Sequence, residues 1–278
     1  LHHRGEVVEL VFDLYGFLMD GLAHKVLWGT KGESGTRRCA SCINYYAAES
    51  AVVADDAGGL VGSTNDWRTL EPATDLSVRA SVARVAEAFR ACDTETFKVW
   101  SQAIGFNHLP YGILNQPACD DLVKPVAQKL IDPSHTLVIG GVVNTVWFLY
   151  FDTLSKAGVP IYQAYRGFMS HWSWPHDLAG KRLKDIFSVE RVRRWRDART
   201  LKCHAAELMQ IIPLLRFYVS QYGVQPGGAC VDEGFVVLAL MDVYEAVHMR
   251  RGDECTHDEL MDRVREFLDQ CVAVWVDQ

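Results

Sequence analysis

Val11-Phe12-Asp13-Leu14-Tyr15-Gly16-Phe17-Leu18-Met19-Asp20-Gly21 is the stretch on which the reading of this chain turns. Its valine, leucine and aromatic residues favour a half-buried pleated strand, and the extended pattern reaches back to Glu6. Gly16 interrupts it as a candidate bulge. Asp20 closes the run, and Gly21 opens a short segment, Gly21 to Trp28, that reads as helix. A carboxylate at a strand end beside glycine suits a hydrated Mg²⁺, which takes one or two carboxylates and keeps several waters. The same position suits a helix N-cap, so both roles stand for Asp20. Asp13 competes with it from inside the strand, where an unpaired charge is costly unless it is used or wet.

Downstream, Gly29-Thr-Lys-Gly32-Glu-Ser-Gly35-Thr36 makes a glycine-rich turn into Cys39-Ala-Ser-Cys42. The turn lacks the Gly-Lys-Ser/Thr order of a phosphate-binding P-loop. Cys39 and Cys42 have the spacing of half a zinc site. The remaining ligands would come from His108, Cys119, His135, His171, His176 or the Cys203-His204 pair. A redox pair is the second reading, since Arg37-Arg38 beside Cys39 would lower a thiol pKa. No βαβ pattern surrounds it, and two packed structural cysteines are the third reading.

A second acidic position, Asp132, opens Asp132-Pro-Ser-His135 after another strand-like segment. Asp-Pro is a common turn starter, and His135, on the same side of a helical turn, could orient or ligate. Between the two aspartates lie a loop from Ala54 to Pro72 and a long helix with Asp75 as its N-cap. That helix carries Val78, Val82, Val85, Phe89 and Cys92 on one face. A second helix follows Asp93-Thr94 and stops at Gly105. After Asp132 the pattern is helical throughout. Helices are expected over Val142–Ser155, Tyr162–His171, Ser188–Tyr222 with a kink near Pro213, Cys230–His248 and His257–Trp275.

The 278 residues carry a net charge of −7, which excludes a uniformly basic nucleic-acid coat but not a local patch. Such a patch exists: Lys181, Arg182, Lys184, Arg191, Arg193, Arg194, Arg196, Arg199 and Lys202 outnumber the acids among them. Trp172, Trp174 and His176 precede it and suit stacking on exposed bases. A solvated helix face with tryptophans plugging the core explains the same residues. Eight scattered cysteines fit a reducing compartment better than a disulfide scaffold. The start, Leu1-His-His-Arg-Gly, has no secretory pattern. It also has no initiator methionine and lies close to a strand, so a fragment is expected. Leu137 to Phe151 is too short and glycine-broken for a membrane span, and no membrane partner is expected.

Met19-Asp20-Gly21, followed by Gly32-x-x-Gly35-x-x-x-Cys39-x-x-Cys42, resembles the first-aspartate region of Plavaka-type transposases, relatives of the CACTA group. Asp132-Pro-Ser-His135-Thr-Leu-Val-Ile-Gly140, continuing to Trp147, is similar to the family's second acidic motif. The likeness extends through Lys98, Gly105, Pro110 and Trp174-Pro175 to the final helices. It implies an α+β, predominantly helical fold. Residues 1–140 would hold part of an RNase H-like core with the CxxC and a helical insertion, and 141–278 a helical insertion domain. The implied chemistry is DDE/D-type: Asp20 and Asp132 hold Mg²⁺ or Mn²⁺ for attack on DNA phosphodiesters, and Cys39 and Cys42 hold structural Zn²⁺. It further implies DNA as partner, a homo-oligomer as one assembly open to it, and an intracellular, nuclear setting. The family's third acid lies in a Lys-x-His…Glu segment, and none occurs before Gln278. The activity is therefore expected to be incomplete or degenerate here. The alternative is a non-catalytic helical DNA- or protein-binding module that retains the CxxC.

Overall fold

The computed structural model describes residues 2–3, 6–7, 14–46, 64, 66–174, 183, 186–248 and 255–275. It divides into two units, Leu1–Asp132 and Pro133–Gln278. The sequence reading put a division at 140/141. The short helix α4 (Pro133–Leu137) instead goes with α5 (Val142–Lys156), against which it packs.

Strand structure in the first unit is sparse. β1 (His2–His3) and β2 (Glu6–Val7) pair antiparallel. β3 (Phe17–Met19) and β4 (Lys129–Ile131) pair in parallel, with Phe17 opposite Lys129 and Met19 opposite Ile131. The protein is predominantly helical, as expected, and among the described residues only one pair of parallel strands stands where an RNase H-like core was expected. The helix α1 (Gly21–Trp28) follows β3 directly and ends at Gly29, whose φ of 70° is left-handed. Thr30 then bridges Phe106, with Lys31 N–H donating to Gly105 and Asn107 N–H to Gly29.

Two long helices complete this unit. α2 (Asp75–Ala91) buries Val78, Val82, Val85 and Ala88. Its cap is Thr74, in a reciprocal box with Ser77, and not Asp75. The Asp75 carboxylate instead accepts from Val126 and Ala127 N–H (2.7 and 3.2 Å), fixing the chain just ahead of β4. Phe89, expected on the buried face, is exposed, with its ring stacked on His108 at 4.1 Å. α3 (Thr94–Ile104) begins at the Asp93 cap and closes at Gly105, φ 81°, matching the sequence expectation.

The second unit is all helix among its described residues. α5, α6 (Ile161–Ser170), α7 (Val189–Ala198), α8 (Ala205–Tyr218), α9 (Val231–His248) and α10 (His257–Trp275) surround one aromatic-rich core. Pro133–Lys156 is long and apolar enough to cross a membrane by length and composition. Its Val143, Trp147, Tyr150 and Phe151 are wholly buried at the centre of this core.

The helix expected over Ser188–Tyr222 is two helices. The chain breaks at Arg199, which takes φ 51°, rather than at Pro213, which α8 accommodates in its interior. The reason is buried hydrogen bonding. The Asn144 side chain, fully enclosed, donates to Leu201 O at 2.7 Å while Leu201 N–H donates back to Asn144 O. Trp195 Nε1 reaches Lys202 O at 3.2 Å. Satisfying these interior groups requires a loop there.

Candidate functional site

Asp20 and Asp132 emerge at the carboxyl ends of neighbouring strands. β3 and β4 are in register through Met19 and Ile131, and Asp132 N–H extends the ladder to Met19 O at 3.4 Å. One strand spacing, about 4.8 Å, separates positions so related. Asp20 also caps α1, its Oδ1 accepting from Ala23 N–H at 2.6 Å. A carboxylate offers about four lone-pair sites, so capping and cation ligation are compatible. His24, one turn into α1, is buried and points its ring at Phe17 O (3.4 Å). Burial, assisted by Lys129, lowers its pKa against the opposing pull of Phe17 O and the Asp20 charge.

A hydrated Mg²⁺ or Mn²⁺ takes one or two carboxylates and keeps several waters. The described residues offer no group of three or more His, Cys, Asp or Glu side chains able to hold a metal. The strand pair thus brings two carboxylate positions to one edge, and no third such side chain joins them among the described residues. Asp13, the competing acid, lies outside the described residues. His135 stands half-buried in α4 of the second unit.

The cysteine pair occupies a turn clamped at its base. Arg37 and Tyr46 form an antiparallel bridge around it, and Cys42 bridges Pro72. Arg37 is buried; its Nε donates to Cys42 O (3.1 Å) and Nη1 to Ser81 Oγ on α2 (3.1 Å). From β4, Lys129 Nζ reaches Ser41 Oγ at 2.8 Å, so one strand touches this turn and leads into Asp132. A cavity of about 430 Å³ opens between α1 and the turn, lined by His24, Lys25, Trp28, Cys39 and Lys129 among others.

Within the pair, the two thiols differ. A hydrogen bond from Cys42, then a backbone N–H and the Lys129 charge, hold the Cys39 thiol far below the ordinary range against the cost of burial. Sharing that hydrogen bond, burial and the Cys39 charge push Cys42 up. At pH 7 iodoacetamide is therefore expected to modify Cys39 before Cys42, and Cys42 to react faster in the Cys39→Ser variant than in the parent. Equal modification of both, read by peptide mass spectrometry, would contradict this asymmetry.

Among the described residues no group of three or more His, Cys, Asp or Glu side chains forms around the cysteines. His108 stacks on Phe89, and Cys119 ends a short turn packed on the first unit's core. Cys203 lies against the second unit's core, its thiol pushed up to about 12 by burial, and the His204 N–H is held by Glu207. His171 Nδ1 pairs with Gly167 O at 2.8 Å. His176 lies outside the described residues. Cys39 and Cys42 thus lack the two further ligands of a structural zinc among the described residues.

Of the basic strip, Lys181, Arg182 and Lys184 lie outside the described residues. Arg191 is paired with Glu207 at 2.9 Å and Arg194 with Glu190 at 3.9 Å; Arg193 projects from α7 to solvent. Trp174 packs on the core, as its plugging role required, while Trp172 is exposed and leans on Phe168 and Phe217. Sequence reasoning missed Lys129 and the burial of Arg37. A lysine within Lys129-Leu-Ile-Asp132 was the available signal for the first; the second had none.

Comparison with protein-family models, curated proteins and solved structures finds no match to this chain.

Proposed function

We propose that this chain is a transposase-related region suited to metal-dependent phosphodiester chemistry on DNA, with its set of acids incomplete. The observation that carries the reading is the placement of Asp20 and Asp132 at the ends of two paired parallel strands. Asp20 and Asp132 would hold one Mg²⁺ or Mn²⁺. An ion held there neutralises phosphate charge and makes a bound water a stronger nucleophile. Asp20 is aimed by β3 and fixed by its cap on α1, and Asp132 by the ladder bond to Met19.

A second reading, a non-catalytic helical DNA- or protein-binding module, is favoured by one observation. The described residues supply no third acidic ligand.

The two readings separate by the metal response of DNA binding. Without metal, two carboxylates repel a phosphate backbone; with it, they attract one through the ion. At constant ionic strength, replacing EDTA by Mg²⁺ is expected to tighten duplex binding by the full chain about tenfold, or 1.4 kcal/mol. The Asp20→Asn and Asp132→Asn variants should bind more tightly than the parent in EDTA and respond little to Mg²⁺. An equal metal response in all three proteins, measured by fluorescence anisotropy, would reject the aspartate pair and leave the binding module.

A further inference from the structure

The second unit contains a cavity in which the aspartate pair has no part. It lies between the start of α6 and one flank of α7 and measures about 540 Å³, within the size range of small-molecule sites. Among the described residues its charge is of one sign: Arg166 lines it from α6 and Arg193 and Arg196 from α7, at its solvent-facing side, and no described carboxylate does. Neither Arg166 nor Arg193 forms an ion pair with a described carboxylate, in contrast to Arg191 and Arg194 on the other flank of α7. Asp152, which acts on the nearby Tyr162 electrostatically, is already paired with Lys156 at 2.7 Å.

One more feature points to an anion. Both α6 and α7 begin at the cavity, through Ile161 and Val189, and neither has a side-chain cap. Helix starts of this kind add positive potential. Tyr162, only 9 % exposed, also lines the cavity, and its hydroxyl interacts with Arg196.

Most of the remaining wall is apolar, with Ile161, Phe187 and Val192 its inner part, and Ser155 and Gln163 are its uncharged polar members. Arg196 lies 5.3 Å from the centre of the Tyr162 ring, its Nη2 held by Ser155 Oγ at 3.2 Å. A simple inorganic anion would use the arginines and leave this wall and most of the volume unfilled. A ligand with a phosphate at one end and a flat, weakly polar ring at the other uses both halves.

We propose that this cavity binds a nucleotide, its phosphate held by Arg166 and Arg193 and its base against the Ile161–Phe187–Val192 wall. The nucleotide is either free or the unpaired end of a nucleic-acid strand; the chemistry recognised is the same. Binding here needs no divalent ion, which separates it from the aspartate reading.

The test is equilibrium binding of fluorescent adenine mononucleotide and of a labelled ten-nucleotide single strand to the full chain in EDTA. Saturable binding of at least one probe is expected. Arg166 and Arg193 are exposed helix positions, so the Arg166→Gln/Arg193→Gln double variant should keep the circular dichroism and melting of the parent. It should lose at least tenfold in affinity, with a shallower salt dependence. Arg194→Gln should stay within twofold for the mononucleotide. Tighter binding of the strand than of the mononucleotide assigns the site to a strand end; the reverse assigns it to a free nucleotide. The proposal is overturned by no saturable binding of either probe, by a double variant that binds like the parent, or by inorganic phosphate displacing the probe as well as AMP does.

Discussion

Trp147→Ala is expected to lower the stability of the second unit by about 3–5 kcal/mol, the cost of removing a large buried aromatic side chain and leaving a cavity. Trp147 is wholly enclosed on α5, with edge-on ring contacts to Tyr150 at 6.2 Å and Phe151 at 5.8 Å. Phe151 in turn meets Tyr162, Tyr165 and Phe187, so the loss propagates into the aromatic cluster joining α5, α6 and α7. The indole N–H has no partner in this core. Trp147→Phe removes that unsatisfied donor along with part of the ring, so its cost should be well under half that of the alanine variant. Urea unfolding followed by circular dichroism measures both. A similar, small loss in the two variants would mean that α5 is not the centre of this core.

The second large effect is expected at Gly105, which closes α3 and touches the base of the cysteine turn. Its φ of 81° is strained for any residue with a side chain, and a Cβ there would stand 2.6 Å from Arg37 O. The opposing atom is backbone, held between the Arg37–Tyr46 bridge and the Lys31 N–H bond to Gly105 O, so it cannot yield cheaply. Gly105→Ala should therefore cost about 2–4 kcal/mol, combining left-handed strain with overpacking. Gly158 supplies the control: its φ is 84°, but nothing lies within 4 Å of an added Cβ. Gly158→Ala should cost only the conformational part, about 1–2 kcal/mol. Equal melting shifts for the two variants would show that the contact with Arg37 carries no weight.

Local signals were readable without coordinates, and long-range ones were not. Asp93 and Gly105 mark the ends of α3 because a side-chain cap and a left-handed glycine act on their own neighbours. The period of Val78, Val82 and Val85 marks α2 for the same reason. Parallel pairing of Phe17–Met19 with Lys129–Ile131 leaves no mark in either segment, because its hydrogen bonds join parts of the chain far apart in sequence. The break at Arg199 was equally hidden: its cause is Asn144, on another helix, and Pro213 offered a more visible but incorrect breaker. In the site, Asp20 and Asp132 were identifiable as strand-end acids, while their register was not. Arg166 escaped notice because it lies outside the basic run that contains Arg193 and Arg196, and only the packing of α6 beside α7 brings the three together.

The central claim is that Asp20 and Asp132 share one divalent cation. Substitution by asparagine isolates it, because asparagine caps a helix as well as aspartate does and so preserves the α1 start while removing the charge. Mn²⁺ titration of the full chain, followed by the loss of the free-ion electron paramagnetic resonance signal, should give one site per chain. Asp20→Asn and Asp132→Asn should each abolish that site with melting temperatures unchanged. One Mn²⁺ bound equally by the parent and both variants, or none bound by the parent, would contradict the account.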